Sequence, residues 1–173
     1  MKVICISGKA RHGKDTTAEL IENICKKNKK SVLIIHYGDR LKDICIRYFH
    51  WNGMKDVSGR TLLQSVGTKF RNYNENFWVN SIIDVLKQYD GFWDYVLIPD
   101  CRYENEIELM KKNFNCTSIR VNRPDFNNML TTKQKNHPSE TSLDTYEFDY
   151  ILNNTSISEL EGQIKDVLYK EGL

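Results

Sequence analysis

The chain has 173 residues, 40% of them hydrophobic and 28% charged, and a formal charge of +2. That length suits one domain burying about 70% of its unfolded surface, and the near balance of charge gives no ground for nucleic acid or an anionic membrane as partner. No run approaches the roughly 20 apolar residues of a membrane span, the first apolar run is too short for a signal peptide, and the five cysteines (Cys5, Cys25, Cys45, Cys101, Cys116) lack metal-ligand spacing; the expectation is a soluble, cytoplasmic protein with reduced thiols.

Lys2–Ser7, with the apolar run Val3-Ile4-Cys5-Ile6, predicts a buried strand. Gly8-Lys9-Ala10-Arg11-His12-Gly13-Lys14-Asp15-Thr16 follows it and leads into a helical pattern over Thr16–Lys27. Strand, glycine-rich turn, then helix is the setting of a phosphate-binding P-loop. The glycines let the chain curl so that successive N–H groups point at one centre, the positive end of the helix faces it, and Lys14 adds a full charge. The nucleotide-binding candidates here are Gly8, Arg11, His12, Gly13, Lys14, Asp15, Thr16 and Thr17. Asp15 stands where Ser or Thr usually holds Mg²⁺. It either ligates the metal, directly or through water, or favours the positive helix end.

Short β-branched runs predict further strands at Ser31–Tyr37, Tyr95–Pro99, Thr117–Asn122 and Tyr150–Leu152. Helices are expected at Phe77–Tyr89, with Val79, Ile82, Ile83 and Leu86 on one face, and at Glu104–Asn113. Near the C-terminus Ser158 and Glu161 read as a capping box, before an apolar face of Leu160, Ile164, Val167 and Leu168. The alternation points to an α/β fold with a parallel sheet. Arg40–Glu75 is helical in pieces and polar, and Pro124–Asp144 is polar without periodicity; an acceptor-binding insertion and a lid would lie there. The third strand ends Val96-Leu97-Ile98-Pro99-Asp100-Cys101-Arg102. A carboxylate at the carboxyl edge of an open sheet can orient Mg²⁺ and its waters, and an arginine two residues on can grip a phosphate; a local Asp–Arg pair is the plainer alternative. Among the histidines, His36 reads as a strand-end residue, His50 as packing among Tyr48, Phe49 and Trp51, and His137 as a candidate for substrate or lid contacts.

Gly13-Lys14-Asp15-Thr16-Thr17-Ala18, Leu63-Gln64-x-x-Gly67-Thr68 and Asp100-x-Arg102-x-x-x-Glu106 resemble the deoxynucleoside monophosphate kinase family of bacteriophages and related genomes. His137-Pro138-Ser139-Glu140 and the Asp149–Asn154 segment are similar to the same group. The resemblance implies a three-layer P-loop kinase fold over residues 1–173, with a five-stranded parallel sheet, an acceptor-binding region at about 40–90 and a lid at about 123–144. It implies that Lys14, Asp100 and Arg102 are catalytic, that Asn153 or its neighbour Asn154 cradles the donor adenine unless the pair only turns the chain, and that Gln64, Gly67, Arg71, Trp78, Asp100, Arg102 and Glu106 surround the acceptor. Lys9, Asp39 and Lys42 are assigned to the acceptor side, and Arg120, Arg123, His137 and Glu140 to the lid. Trp78 either stacks on the base or belongs to the core. Asp15 and Asp100 are the metal candidates.

The function so implied is transfer of a phosphoryl group from ATP, with Mg²⁺, to a (deoxy)nucleoside monophosphate. The acceptor phosphate, largely dianionic at pH 7, needs no general base. Two alternatives stand beside it: a kinase for another small phosphorylated acceptor, similar to animal phosphomevalonate kinase, and a nucleotide-responsive binding protein that has lost transfer. A homodimer is open.

Overall fold

In a computed structural model, which describes residues 1–124, 126–127 and 130–173, five parallel strands form one sheet in the order β2-β3-β1-β4-β5. The strands are β1 (Lys2–Ser7), β2 (Val32–Ile34), β3 (Tyr95–Cys101), β4 (Asn115–Asn122) and β5 (Tyr150–Asn153). The helices are α1 (Lys14–Lys27), α2 (Gly38–Phe49), α3 (Val57–Tyr73), α4 (Phe77–Gln88), α5 (Glu104–Asn113), the short α6 (Thr132–Lys135) and α7 (Pro138–Thr141), and α8 (Ile157–Lys170). The predicted lid at 123–144 takes in Asp125, Asn128 and Met129, which lie outside the described residues. Among the described residues no helix is long and apolar enough to cross a membrane.

Strand alternation builds the layers. Val3, Cys5, Val96 and Ile98 face α4 and α5, whose Trp78, Ile82, Leu86, Ile107 and Met110 complete that half of the core. Ile4, Ile6, Leu97, Ile119 and Val121 face α1 and α8, meeting Ile21, Leu160 and Ile164. A third, smaller cluster of Cys45, Trp51 and Val66 holds α2 to α3. The predicted helical insertion at Arg40–Glu75 is this pair. Its turn is tight: a Cβ at Gly59 would stand 2.0 Å from the Met54 carbonyl oxygen and 2.6 Å from the Trp51 indole nitrogen.

Several boundaries differ from expectation, each for a local reason. β2 ends at Ile34 rather than Tyr37, apart from one further bond from Ile35 N–H to the Leu97 carbonyl. Beyond it the Asp100 carboxylate takes the N–H groups of Tyr37 and Gly38, at 3.0 and 2.8 Å, and turns the chain into α2. β3 runs through Pro99. Pro99 shares the parity of Leu97, whose carbonyl points to β2, and lies past the end of β2, so its missing N–H leaves no ladder bond unmade. The β1–β3 register also shifts there, between Cys5 and Ser7. The C-terminal helix begins two residues earlier than the predicted capping box. Ser156 caps it, accepting from Glu159 N–H at 3.2 Å, because Ser156 and Glu159 repeat the spacing of Ser158 and Glu161.

Candidate active site

The P-loop joins β1 to α1 at the carboxyl edge of the sheet. Gly8 and Gly13 have φ of 155° and 100°, and a Cβ on Gly8 would stand 2.5 Å from the Val121 carbonyl oxygen. Arg11 also adopts positive φ, at 64°. Lys14 is buried, its Nζ donating to the carbonyls of Gly8 (2.8 Å) and Lys9 (3.0 Å). Burial first, and the nearby Arg102 second, lower its pKa to about 7. Next to it the Asp15 side chain is 76% exposed and lies 3.5 Å from His36 Nε2. Hydrogen bonding to His36 pulls the Asp15 pKa down, and the same bond raises that of His36.

Two cavities meet at this loop. One, of about 550 Å³, lies between the P-loop, the end of β3, α2, α3 and the lid; the other, of about 390 Å³, lies between the P-loop, the end of β4 and the start of α8. They share Arg11, Lys14 and Asp15.

The larger cavity gathers Lys42, Gln64, Gly67, Arg71, Trp78, Asp100, Arg102, Glu106, His137 and Glu140 from the expected residues. Glu106 is a buried carboxylate that accepts from the N–H groups of Arg102 (2.6 Å) and Tyr103 (3.2 Å) and pairs with Arg71 Nη2. Burial pushes its pKa up, while Arg71 pulls it back. Glu106 therefore fixes the start of α5 and the Arg71 side chain together. The Arg71 guanidinium also lies 3.9 Å from the Tyr103 ring centroid, and its Nη1 is buried with no hydrogen-bond partner among the described residues. Arg102 Nη1 reaches Glu140 at 2.8 Å, the Ser139 carbonyl at 3.2 Å and the Gly8 carbonyl at 3.4 Å, so it links sheet, loop and lid. In the lid His137 caps α7, its Nδ1 accepting from Ser139 N–H at 3.1 Å, and its Nε2 lies 3.2 Å from Thr68 Oγ1. Burial lowers the His137 pKa.

Five of the assigned residues stand less directly at the site than expected. Trp78 is 2% exposed, packed on Phe70 and Phe77 with its indole N–H donating to the Gly67 carbonyl, so it presents no face for stacking on a base. Thr17 is fully buried, its hydroxyl donates to the Gly13 carbonyl at the start of α1, and it lines neither cavity. Asn153 is exposed and its backbone bonds to the Gln163 side chain of α8; Asn154 is the one that lines the smaller cavity, donating to the His12 carbonyl at 3.0 Å. Asp39 pairs with Lys42 and lies outside the cleft lining, and Lys9 pairs with Asp144. Of the remaining lid residues, Arg120 pairs with Asp144, and Arg123 donates its N–H to His12 Nδ1 while lining the smaller cavity.

Other lining residues escaped the sequence. His36, Leu41, Lys55, Arg60, Leu130 and Tyr103 reach the larger cavity from widely separated parts of the chain. Only Arg60 carried a signal, lying four residues before Gln64 on one helical face.

Asp15 and Asp100 fit a metal held mainly by phosphate oxygens and water. Asp15 offers an exposed, ionised carboxylate at the loop. Asp100 has both oxygens engaged by backbone N–H groups, which suits contact through water. No cluster of three or more metal-ligating side chains occurs among the described residues.

The sequence profile of a family described as deoxynucleotide monophosphate kinase matches residues 25–164. The chain is 27% identical over 158 residues to the deoxynucleotide monophosphate kinase of enterobacteria phage T4, covering 83% of this chain and 63% of the phage protein. It is 31% identical over 113 residues to an uncharacterized protein, ORF77, of Ictalurid herpesvirus 1, covering 63% of this chain and 47% of the viral protein. The chain thus spans less than two thirds of the length of both relatives. In three dimensions it is similar to the APS kinase of Mycobacterium tuberculosis in complex with AMPPNP and APS, with a TM-score of 0.57 at 12% identity over 97% of each chain. It is similar also to shikimate kinase of Aquifex aeolicus, with a TM-score of 0.51 at 13% identity over 99% of this chain and 96% of that one. At such identities the likeness is one of fold.

Proposed function

Because the chain belongs to the deoxynucleotide monophosphate kinase family, we propose that it transfers the terminal phosphoryl group of ATP to the phosphate of a deoxynucleoside monophosphate, giving the diphosphate. The observation that carries this reading is the pair of cavities sharing Arg11, Lys14 and Asp15. A donor in the smaller one and an acceptor in the larger would bring their phosphates together over the P-loop.

The donor phosphates lie against the loop N–H groups and the start of α1, with Lys14 releasing the Gly8 and Lys9 carbonyls to meet them. Asn154, Thr155 and Ile157 border the adenine end. The acceptor phosphate takes the guanidinium of Arg102 and the free Nη1 of Arg71, whose side chain is oriented by Glu106. Leu41, Leu63 and Leu130 supply apolar surface for the base in place of Trp78, with Gln64, Thr68 and His137 to meet its edge. That mixed lining favours a nucleotide over a small phosphorylated alcohol. A dianionic acceptor oxygen attacks the donor's terminal phosphorus, and the bond to the ADP oxygen breaks in line; Lys14 and Arg102 stabilise the charge on the transferring group. When bound, Mg²⁺ supplies charge neutralisation at the donor phosphates, with Asp15 and Asp100 as its protein partners.

Coupled ADP release, measured with each deoxynucleoside monophosphate in turn and with phosphomevalonate, tests the reading. At least one nucleotide should stimulate ATP turnover. Indifference to every monophosphate would leave a nucleotide-binding protein without transfer.

A further inference from the structure

One lid side chain makes an unusual contact with the phosphate loop. Glu140 sits at the third position of α7. Its Oε2 accepts the Ala10 N–H of the loop at 3.1 Å, and its Oε1 pairs with Arg102 Nη1 at 2.8 Å. A P-loop N–H and a guanidinium converging on one anion form the donor set that phosphate oxygens take. The Glu140 side chain is 7% exposed, so its carboxylate is desolvated and depends on these two donors. Its helix is pinned by the His137 cap and by the His137–Thr68 contact, and the lid beyond it by Asp144, which pairs with Lys9 and Arg120.

We propose that Glu140 is a specificity-determining residue that stands in for a phosphate group, holding Ala10 N–H and Arg102 until a phosphate monoester displaces it. A carboxylate and a phosphate dianion cannot share one desolvated donor set, because like charges repel strongly there. A dianion that claims Arg102 outcompetes Glu140. Water, being neutral, does not, and while Glu140 holds Arg102 the guanidinium is withheld from a hydrolytic transition state. Glu140 thereby makes ATP turnover conditional on an acceptor. This consequence rests on the kinase reading; the displacement itself does not.

The opposite arrangement would make Glu140 a permanent brace that keeps Arg102 aimed at phosphate. Glu140→Gln separates the two, because the amide keeps the shape and removes the charge. Titrated calorimetrically with inorganic phosphate, the variant should bind about tenfold more tightly than wild type, the scale of one relieved like-charge contact. Its acceptor-independent ADP release should rise by a similar factor. Equal or weaker phosphate binding overturns the proposal in favour of a brace, and tighter binding with unchanged hydrolysis overturns the role in selecting the acceptor. Hydrogen exchange on the wild-type protein gives a reading that needs no variant: phosphate should speed exchange at Ser139, Glu140 and Ser142 as the lid contact opens, whereas slowed exchange counts against displacement. If no monophosphate stimulates turnover in the wild type, the kinase reading fails while the phosphate arm still decides whether Glu140 is displaced.

Discussion

Lys14 holds the clearest pH dependence at the scale of single residues. Its pKa is lowered from the usual 10.5 to about 7, by burial first. Between those values the unfolded chain binds a proton that the folded chain does not, so folding stability should rise with pH across that window. Phosphate binding works the other way, because it restores the charge on the amine. ATP should therefore bind more weakly as pH climbs above about 7, and calorimetry at pH 8 in buffers of different ionisation enthalpy should show proton uptake. No uptake would mean that the amine is already charged. Two threonines give a paired prediction. Thr17→Val should leave the ATP KM unchanged, since its hydroxyl serves the Gly13 carbonyl, whereas Thr16→Val, at the lining of the smaller cavity, should raise it. The sequence placed the loop correctly but not each side chain in it. Thr16 and Thr17 are equivalent in composition, and only the helix direction turns one inward. Asn153 and Asn154 are likewise separated by strand parity, which β5 sets by pairing with β4. Trp78 has the composition of a stacking platform, and the aromatic neighbours that bury it, Phe70 and Phe77, lie on two helices whose packing no local pattern discloses.

At the scale of elements, the turn between α2 and α3 and the start of α5 are the sensitive points. Gly59→Ala forces its new methyl against the Met54 carbonyl and the Trp51 ring, and should destabilise by about 1–3 kcal/mol as other overpacked sites do, lowering Tm with little change in ATP affinity. Glu106→Gln leaves Arg71 buried beside a neutral group. It should cost about 3–5 kcal/mol, as breaking a buried pair by one partner does, and raise the acceptor KM far more than the ATP KM. Equal effects on both would make Glu106 a purely structural group. The sheet was legible because apolar runs and turn residues alternate along the chain. The edges of elements were less so, because tertiary partners fix them: Asp100 ends β2 from the neighbouring strand β3, and the duplicated Ser-x-x-Glu spacing admits two helix starts until α8 packs.

For the whole molecule, the two cavities meet at the phosphate loop, on Arg11, Lys14 and Asp15. A compound that links adenosine to a deoxynucleoside through a chain of five phosphates should occupy both at once. It should bind tighter than ATP by about 10²–10⁴, the gain of tethering two ligands at matching span; affinity no better than that of ATP would mean that the cavities are not donor and acceptor. Lys55, Arg60, Leu130 and His36 come together in the larger cavity only through tertiary packing. Their convergence is a property of the assembled sheet, which is why a linear reading could not collect them.

The sheet order has a consequence for biogenesis. β1 lies at the centre, with Lys2 paired to Tyr95 on one side and to Asn115 on the other. The strand that carries the nucleotide loop therefore leaves the ribosome well ahead of both strands that flank it. Until β4 emerges, its apolar residues and open backbone edges have no permanent neighbour, and pairing over such sequence distance is slow. A nascent chain arrested before residue 115 should be recovered on chaperones and be sensitive to protease within β1, so that the first of the five strands to be made is among the last to be secured.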